Sequence, residues 1–400
     1  MNYAIEPTNT LIISILVLYL GTRITQKVGL LNRYNIPPAV TGGLICSLII
    51  ALIARFWQIE ISFDTQIRDL LLLVFFSTIG LGAKFRLLAE GGKALALLLA
   101  VAVAFLVLQN TTGVLLALAF DAHPGYGLFA GSISFAGGHG TAIAWGSEAE
   151  KAGLVAAREI GIAFATFGLI AGGIIGGPIA ERLITRNKLH PKATTSATAA
   201  VAADTADGAD PLLRTDDVLR TILMLAICVG TGDQINRLLF AQGVLLPGFL
   251  TAMLVGIVLT NLADLLARPL NEPAIDLFNN VSLHIFLAIS LMSMNLLVLS
   301  QAFGPMLLVL FAQVSVMTLV AVFIVFRVMG RDYDAAVMSA GFAGLGLGAT
   351  PVAIGNMQAV TGKYGASPKA FLVVPLVGAF FIDLANALVI KVFIASPLLQ

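Results

Sequence analysis

The chain is 400 residues long, 58% hydrophobic and only 11% charged, and its 23 basic and 22 acidic residues leave a net charge of +1. Soluble domains carry about 25% charged residues, so this is the composition of a membrane protein, and the near-neutral balance gives no electrostatic footprint for nucleic acid. Apolar runs of about 20 residues recur along the chain, as in a polytopic all-α membrane protein.

Met1–Glu6 has no basic n-region, and positive residues come only after the first apolar run, so no secretory signal is expected. That order predicts a first helix with its amino terminus outside. Spans are expected near 8–22, 39–54, 69–82, 94–119 and 159–184, then near 217–239, 246–263, 276–294, 304–329 and 369–395. Cys46 and Cys228 fall inside apolar spans and read as packing residues. Arg23, Lys27 and Arg33 follow the first span, Lys84, Arg86 and Lys93 the third, and Arg182, Arg186, Lys188 and Lys192 the fifth. The loops between, 55–68 and 120–158, are balanced or acidic, so the basic loops read as cytoplasmic. The pattern holds only if the Gly-rich segment 125–150 enters and leaves on one side. Arg158 and Glu159 flank the fifth span and read as its solvated end.

The stretch 186–216, with PKATTSATAAVAADTADGADP, is small, polar and Pro-punctuated, and reads as a flexible cytoplasmic linker. It separates two halves, 1–185 and 217–400. IPPAVTGGL at 36–44 faces LPGFLTAML at 246–254, and STIGLGAKF at 77–85 faces ISLMSMNLL near 289–297. FAGGHGTAIA at 135–144 faces FAGLGLGATPVAI at 342–354, and ATFGLIAGG at 165–173 faces PLVGAFFID at 375–383. Each half holds about five crossings, an odd number, plus one Gly-rich segment, so the second copy lies upside down relative to the first. Inverted repeats with interrupted segments at matching positions point to a secondary transporter, with the site where the interruptions meet.

Irregular backbone at membrane depth is tolerated only where protein buries it or a wet cavity receives it. Glycine supplies the positive φ that a returning hairpin needs. Thr141 in GHGTAIAW and Thr350 in LGATPVAIGNM are placed as N-caps, with Pro351 at the first helical position. Each segment is thus expected to start a half-helix inside the bilayer, whose bare amides and positive dipole end suit an anion. A Gly-xxx-Gly packing face is the alternative for either segment alone. His139 has no metal-ligand partners by spacing and reads as a packed or hydrogen-bonded residue near the site; His284 reads as structural. Asp383, inside the apolar FFIDLANALVI, has Asn386 one turn on along the same face. It reads as part of an ion or substrate path, or as a structural residue paired with Lys391 or a Ser. Asn110 and Asn295 are lone amides, either helix glue or ligands.

Taken together and in order, IPPAVTGGL, FFSTIGL, SFAGGHGTA, GLGATPVAI and FFIDLANALVIK resemble the bacterial sodium/glutamate symporter family over nearly the whole chain outside 186–216. The resemblance implies two inverted-topology repeats, each with one Gly-rich re-entrant loop. It implies Na⁺-driven uptake of L-glutamate across the bacterial inner membrane, a homodimer, and an elevator-like movement. It implies no enzyme activity and no cofactor beyond Na⁺ as the coupling ion. Carried onto this chain, the loop motifs fall on Gly137, Gly138, Gly140 and Thr141, and on Gly344, Gly346, Gly348, Thr350 and Pro351. With His139, Asn295, Asn356, Asp383 and Asn386 these make up the expected substrate and ion residues, Na⁺ being assigned to Thr141, Thr350 and Asp383. Both termini are expected in the periplasm. A proton- or Na⁺-coupled symporter for another small dicarboxylate or amino acid is the near alternative, and an ion channel with re-entrant pore loops the alternative of a different class.

Overall fold

The computed structural model describes residues 2–33, 36–86, 92–191, 213–242, 246–268, 270–294 and 303–396. Strand β1 (Asn2–Ile5) leads into helix α1 (Pro7–Lys27), the short α2 (Gly29–Arg33), α3 (Pro38–Trp57), strand β2 (Glu60–Phe63) and α4 (Gln66–Gly82). Next come α5 (Gly92–Ala119), a single turn α6 (Gly125–Phe129), α7 (Gly138–Lys151) and α8 (Ala157–Asn187). The later part holds α9 (Thr215–Ala241), α10 (Gly248–Leu265), α11 (Glu272–Met292) and α12 (Phe303–Val320), the last running through a π-helical turn at Ala321–Val325. It closes with α13 (Tyr333–Leu347), α14 (Thr350–Tyr364), α15 (Pro368–Leu376), a second π-helical turn at Val377–Phe381, and α16 (Ile382–Ile394).

All ten expected spans are helical. Eight helices of the described residues are long and apolar enough to cross a membrane. The 17 residues of α4 are slightly shorter, and the last span is broken by its π turn next to Pro375. A proline inside a helix lacks the N–H that the regular ladder needs, and such a break often shows as a π-bulge. One feature was not expected from sequence: β1 and β2 form a parallel pair, with Asn2 opposite Glu60 and Ile5 opposite Phe63. Most of the expected 186–216 linker, and Asn295, lie outside the described residues.

The chain folds into two compact units. Unit 1 comprises Met1–Lys84, His139–Ala163 and Leu213–Gly304; unit 2 comprises Phe85–Gly138, Phe164–Leu212 and Pro305–Gln400. Each unit therefore draws on both halves of the sequence. Unit 1 is cored by Ala39, Val40, Ile143, Ile162, Phe286 and Leu291, with Phe75 packed against them. Burying side chains of this size contributes about 1.5–3 kcal/mol each in water; in lipid the close packing itself has to hold helices together. Accordingly glycines mark the contacts: a Cβ on Gly80 would strike the Met253 carbonyl, and one on Gly21 the Pro38 carbonyl.

The two buried cations Lys84 and Arg68 of unit 1 are each paired with a carboxylate. Lys84 is buried, and its Nζ meets Glu272 Oε1 at 2.5 Å. Arg68, also buried, is bidentate to Asp69 Oδ1 at 2.7 and 2.9 Å. The reading of Glu159 as a solvated helix end is corrected here. Glu159 is 5% exposed, its Oε1 lies 3.4 Å from an Arg158 guanidinium nitrogen, and the Arg158 amide donates to Glu150 Oε1 at 3.2 Å. Its burial follows from packing at the α7–α8 turn, where a Cβ on Gly146 would fall 2.6 Å from Arg158 Cα.

Candidate functional site

Within unit 2, α13 and α14 form a tight helical hairpin whose tip is Gly348–Ala349. The register is fixed by glycine. A Cβ on Gly344 would lie 2.7 Å from the Ala353 nitrogen, so the helices touch backbone to backbone there, and one on Gly341 would lie 2.8 Å from the Met357 Sδ that packs over it. Asn356 bridges them, donating from Nδ2 to the Ala340 carbonyl at 3.3 Å and to the Gly172 carbonyl of α8 at 2.9 Å. The open end is tied as well: the Tyr333 hydroxyl donates to the Gly365 carbonyl, and Ser367 Oγ donates to Asp334 Oδ1 at 2.6 Å. Each arm has 15 residues, about 22 Å of helix against a hydrocarbon core of about 30 Å.

The start of α14 differs by one residue from expectation. Ala349, in extended conformation, is the N-cap, with no side-chain cap bond; Thr350 is the first helical residue and Pro351 the second. The first helical bond at this end is Ala353 N to Ala349 O at 3.1 Å. Ahead of it the Ala349 amide donates to Gly344 O at 3.1 Å and Pro351 has no N–H, which leaves the Thr350 and Val352 amides as the open donors of this helix start. The Thr350 hydroxyl faces the second π turn: a Cβ on Gly378 would lie 2.6 Å from Thr350 Oγ1. That turn leads directly into Asp383, which is half-buried and has no hydrogen-bond or ion-pair partner among the described residues.

The first Gly-rich segment is built differently. After α6, residues 130–137 form consecutive turns, nearly all fully buried. The backbone bonds here include Gly131 N to Leu128 O at 3.1 Å, Phe135 N to Gly131 O at 3.2 Å, Gly137 N to Ser132 O at 2.9 Å and Gly138 N to Ser134 O at 3.0 Å. Gly138, with φ of 67°, then starts α7, so Thr141 lies inside the helix rather than capping it. Among the glycines of the two segments only Gly138 uses a positive φ; Gly344 and Gly346 instead sit where a Cβ would meet a neighbour below 3 Å. The two breaks come together inside unit 2: a Cβ on Gly138 would lie 3.7 Å from the Gly348 carbonyl.

Side-chain amides take up carbonyls that the irregular segments leave free. Gln313 Nε2 donates to Ala130 O at 2.7 Å and to Gln109 O at 2.9 Å. Gln109 Nε2 donates to Gly346 O at 2.9 Å. Asn110 Oδ1 accepts from Ser132 N at 2.7 Å, and Asn386 Nδ2 donates to Ser132 O at 3.0 Å. Unit 2 therefore holds Gly137, Gly138, Gly344, Gly346, Gly348, Thr350, Pro351, Asn356, Asp383 and Asn386 of the expected set. His139, Gly140 and Thr141 belong to unit 1, where all three are buried, and a Cβ on Gly140 would press on the Phe75 ring at 3.0 Å. Sequence reasoning missed Gln109, Ser132 and Gln313. Lone glutamines in apolar helices and a Ser-x-Ser just before the paired glycines were the available signals. Among the described residues no cluster of His, Cys, Asp and Glu could hold a metal ion, and Cys46 and Cys228 are free thiols.

Eight membrane-length helices, with two interrupted segments meeting in one unit, define a polytopic helical protein of the transporter class. The pattern described as Sodium/glutamate symporter matches residues 3–366, so the chain belongs to that family. It is similar to the protein named Sodium/glutamate symporter of Escherichia coli (strain K12), at 40% identity over 398 residues and 99% of both chains. The same figures hold for the Sodium/glutamate symporter of Shigella flexneri. The one from Haemophilus influenzae (strain ATCC 51907 / DSM 11121 / KW20 / Rd) is 40% identical over 414 residues, covering 99% of this chain and 98% of the relative. The chain is a symporter by family and not an enzyme.

Proposed function

We propose that this protein couples inward movement of Na⁺ to uptake of L-glutamate across the bacterial inner membrane. The observation that carries the reading is the approach of Gly138 to Gly348, which brings two helix interruptions to one place inside unit 2. Glutamate has two carboxylates and one ammonium. The bare start of α14 and the Thr350 hydroxyl suit a carboxylate, and the unpartnered Asp383 carboxylate suits the ammonium or Na⁺. In this reading the ion is held from unit 2 by Thr350 and Asp383. Coupling is differential binding: each ligand favours the state that the other completes.

The hairpin α13–α14 is read as re-entrant, since its arms fall short of the hydrocarbon thickness and its two ends are tied together. We read 1–185 and 217–400 as inverted repeats joined by a cytoplasmic linker at 186–216, with both termini periplasmic and the protein a homodimer. Two compact units, each assembled from both halves, support an elevator-type movement of one unit.

Counterflow in proteoliposomes, screening unlabelled amino acids and dicarboxylates against labelled glutamate, tests the substrate. Imposing the gradient as Na⁺ or as H⁺ tests the ion. Glutamate exchange that needs Na⁺ is expected. Exchange that persists without Na⁺, or that prefers another dicarboxylate, overturns the assignment.

A further inference from the structure

The polar interior of unit 2 leaves several side-chain oxygens without a partner among the described residues. Among its buried side-chain atoms Gln109 Oε1, Ser132 Oγ, Ser134 Oγ, Gln313 Oε1 and Asn386 Oδ1 have no hydrogen-bond partner, against one unpartnered nitrogen, Asn110 Nδ2. These are not scattered faults. Asn110, Ser132 and Asn386 are 0%, 0% and 1% exposed, and two hydrogen bonds join them through the Ser132 peptide. The bonds also fix which way the amides point. Asn386 Nδ2 is held by the Ser132 carbonyl, which the Gly137 amide also uses, so Asn386 Oδ1 is turned away with no donor to meet it. Leaving a buried polar atom unmet costs about 1–3 kcal/mol, and surplus oxygens in a dry interior suit a hard cation that takes neutral oxygen ligands.

We infer that Ser132 Oγ and Asn386 Oδ1 are ligands of a monovalent cation inside unit 2, with Asn110 as a positioning residue that holds the Ser132 peptide. The inference rests on the Na⁺-coupled reading above; it keeps Asp383 as the charge beside the ion, replaces Thr350 as its oxygen ligand and names ligands that the glycine motifs do not contain. Three features fit together. The hydroxyl and the amide oxygen belong to residues already bonded to each other. The irregular segment 130–137 keeps Ser132 out of a regular helix. Asp383, on the same face of α16 one turn before Asn386, brings the negative charge that neutral ligands lack. Because Asn386 and Asp383 share a helix, filling this site bears on the segment that leads back through the π turn to Thr350, which gives a route from ion to substrate.

The test uses the purified full-length protein. Thermal melting is followed as Na⁺ replaces choline at constant ionic strength, and the Na⁺ dependence of glutamate counterflow is measured alongside. Wild-type protein should be stabilised by Na⁺. Ser132→Ala and Asn386→Ala should each raise the Na⁺ half-saturation about tenfold or more in both readouts. Their glutamate KM at saturating Na⁺ should stay within about twofold of wild type. Ser132→Thr, which keeps a hydroxyl, should stay near wild type in Na⁺ half-saturation. If the alanine variants do not fold, Ser132→Cys carries the test, since a thiol of similar size is a poor ligand for a hard cation and must raise the half-saturation. Unchanged Na⁺ half-saturation in the variants would overturn the site and leave the cluster holding water only. A wild-type protein indifferent to Na⁺ in both readouts would instead overturn the Na⁺-coupled reading, and this site with it.

Discussion

Unit 1 and unit 2 treat buried polarity in different ways. In unit 1 the buried cations face carboxylates, Lys84 meeting Glu272 and Arg68 meeting Asp69, and the half-buried Arg158 guanidinium lies 3.4 Å from Glu159. In unit 2 the ion pair of Lys363 with Glu181, at 2.7 Å, is solvent-exposed. The interior of unit 2 relies on neutral amides and hydroxyls and on a lone carboxylate at Asp383; oxygens without a partner occur in both units, Thr260 Oγ1, Ser290 Oγ, Asp264 Oδ2 and Glu159 Oε2 in unit 1 and Ser132 Oγ, Gln313 Oε1 and Asn386 Oδ1 among those of unit 2. A charge already neutralised by its neighbour has little left to give a ligand. An oxygen with no donor, or a helix start with no cap, has. The contrast therefore lies in the charges: unit 1 pairs its buried cations, whereas unit 2 carries Asp383 without a partner among the described residues.

The largest effect is expected at Asp383. Asp383→Asn should lower glutamate uptake by about 100-fold, the loss of one charge-assisted contact, while membrane insertion and melting in choline stay normal. Unimpaired uptake would make Asp383 a structural residue and erase half of the contrast. Next comes the Lys84 pair. Glu272→Gln leaves a buried ammonium without its counter-charge and should destabilise the protein by about 2 kcal/mol. Lys84→Met leaves only a largely exposed carboxylate and should cost less. Chemical or thermal unfolding of the two variants checks the order, and the reverse order would contradict the reading of Lys84 as the buried partner. A smaller loss, about 1–2 kcal/mol, is expected for Gly138→Ala, because an L-residue at φ of 67° is strained although there is room for the methyl group. Melting temperature measures it, and a stabilised variant would show that the positive φ is not required. At the bottom of the scale, Glu181→Gln should leave uptake and melting unchanged, since its pair with Lys363 is open to solvent.

Much of this was legible in the sequence, for physical reasons that differ by element. Spans such as 94–119 announced themselves because lipid demands an unbroken apolar run, and α5 follows at Gly92–Ala119. The two breaks were legible because only glycine allows the approach of Gly344 to Ala353. What was read incorrectly was the detail of each break. Thr141 and Thr350 were placed as caps by residue preference. In the structure Gly138, with its positive φ, starts α7 three residues before Thr141, and Ala349, extended, precedes Thr350. The illegible remainder lies in long-range pairing. Lys84 read as a loop cation because its partner lies 188 residues away. Ser132 carried no signal that Asn386, 254 residues on, would hold its carbonyl. Nor did Asn356 carry a signal that its Nδ2 would tie three helices together.

The central claim is that the Gly348–Ala349 tip, with its uncapped helix start, grips the substrate. Ala349→Cys, made with Cys46→Ala and Cys228→Ala, places one thiol at that tip for labelling by a polar maleimide in membranes. The account predicts that glutamate together with Na⁺ protects this thiol, and that neither choline with glutamate nor Na⁺ with a non-substrate amino acid does. Labelling at the same rate under all of these conditions, in a variant that still transports glutamate, would contradict it.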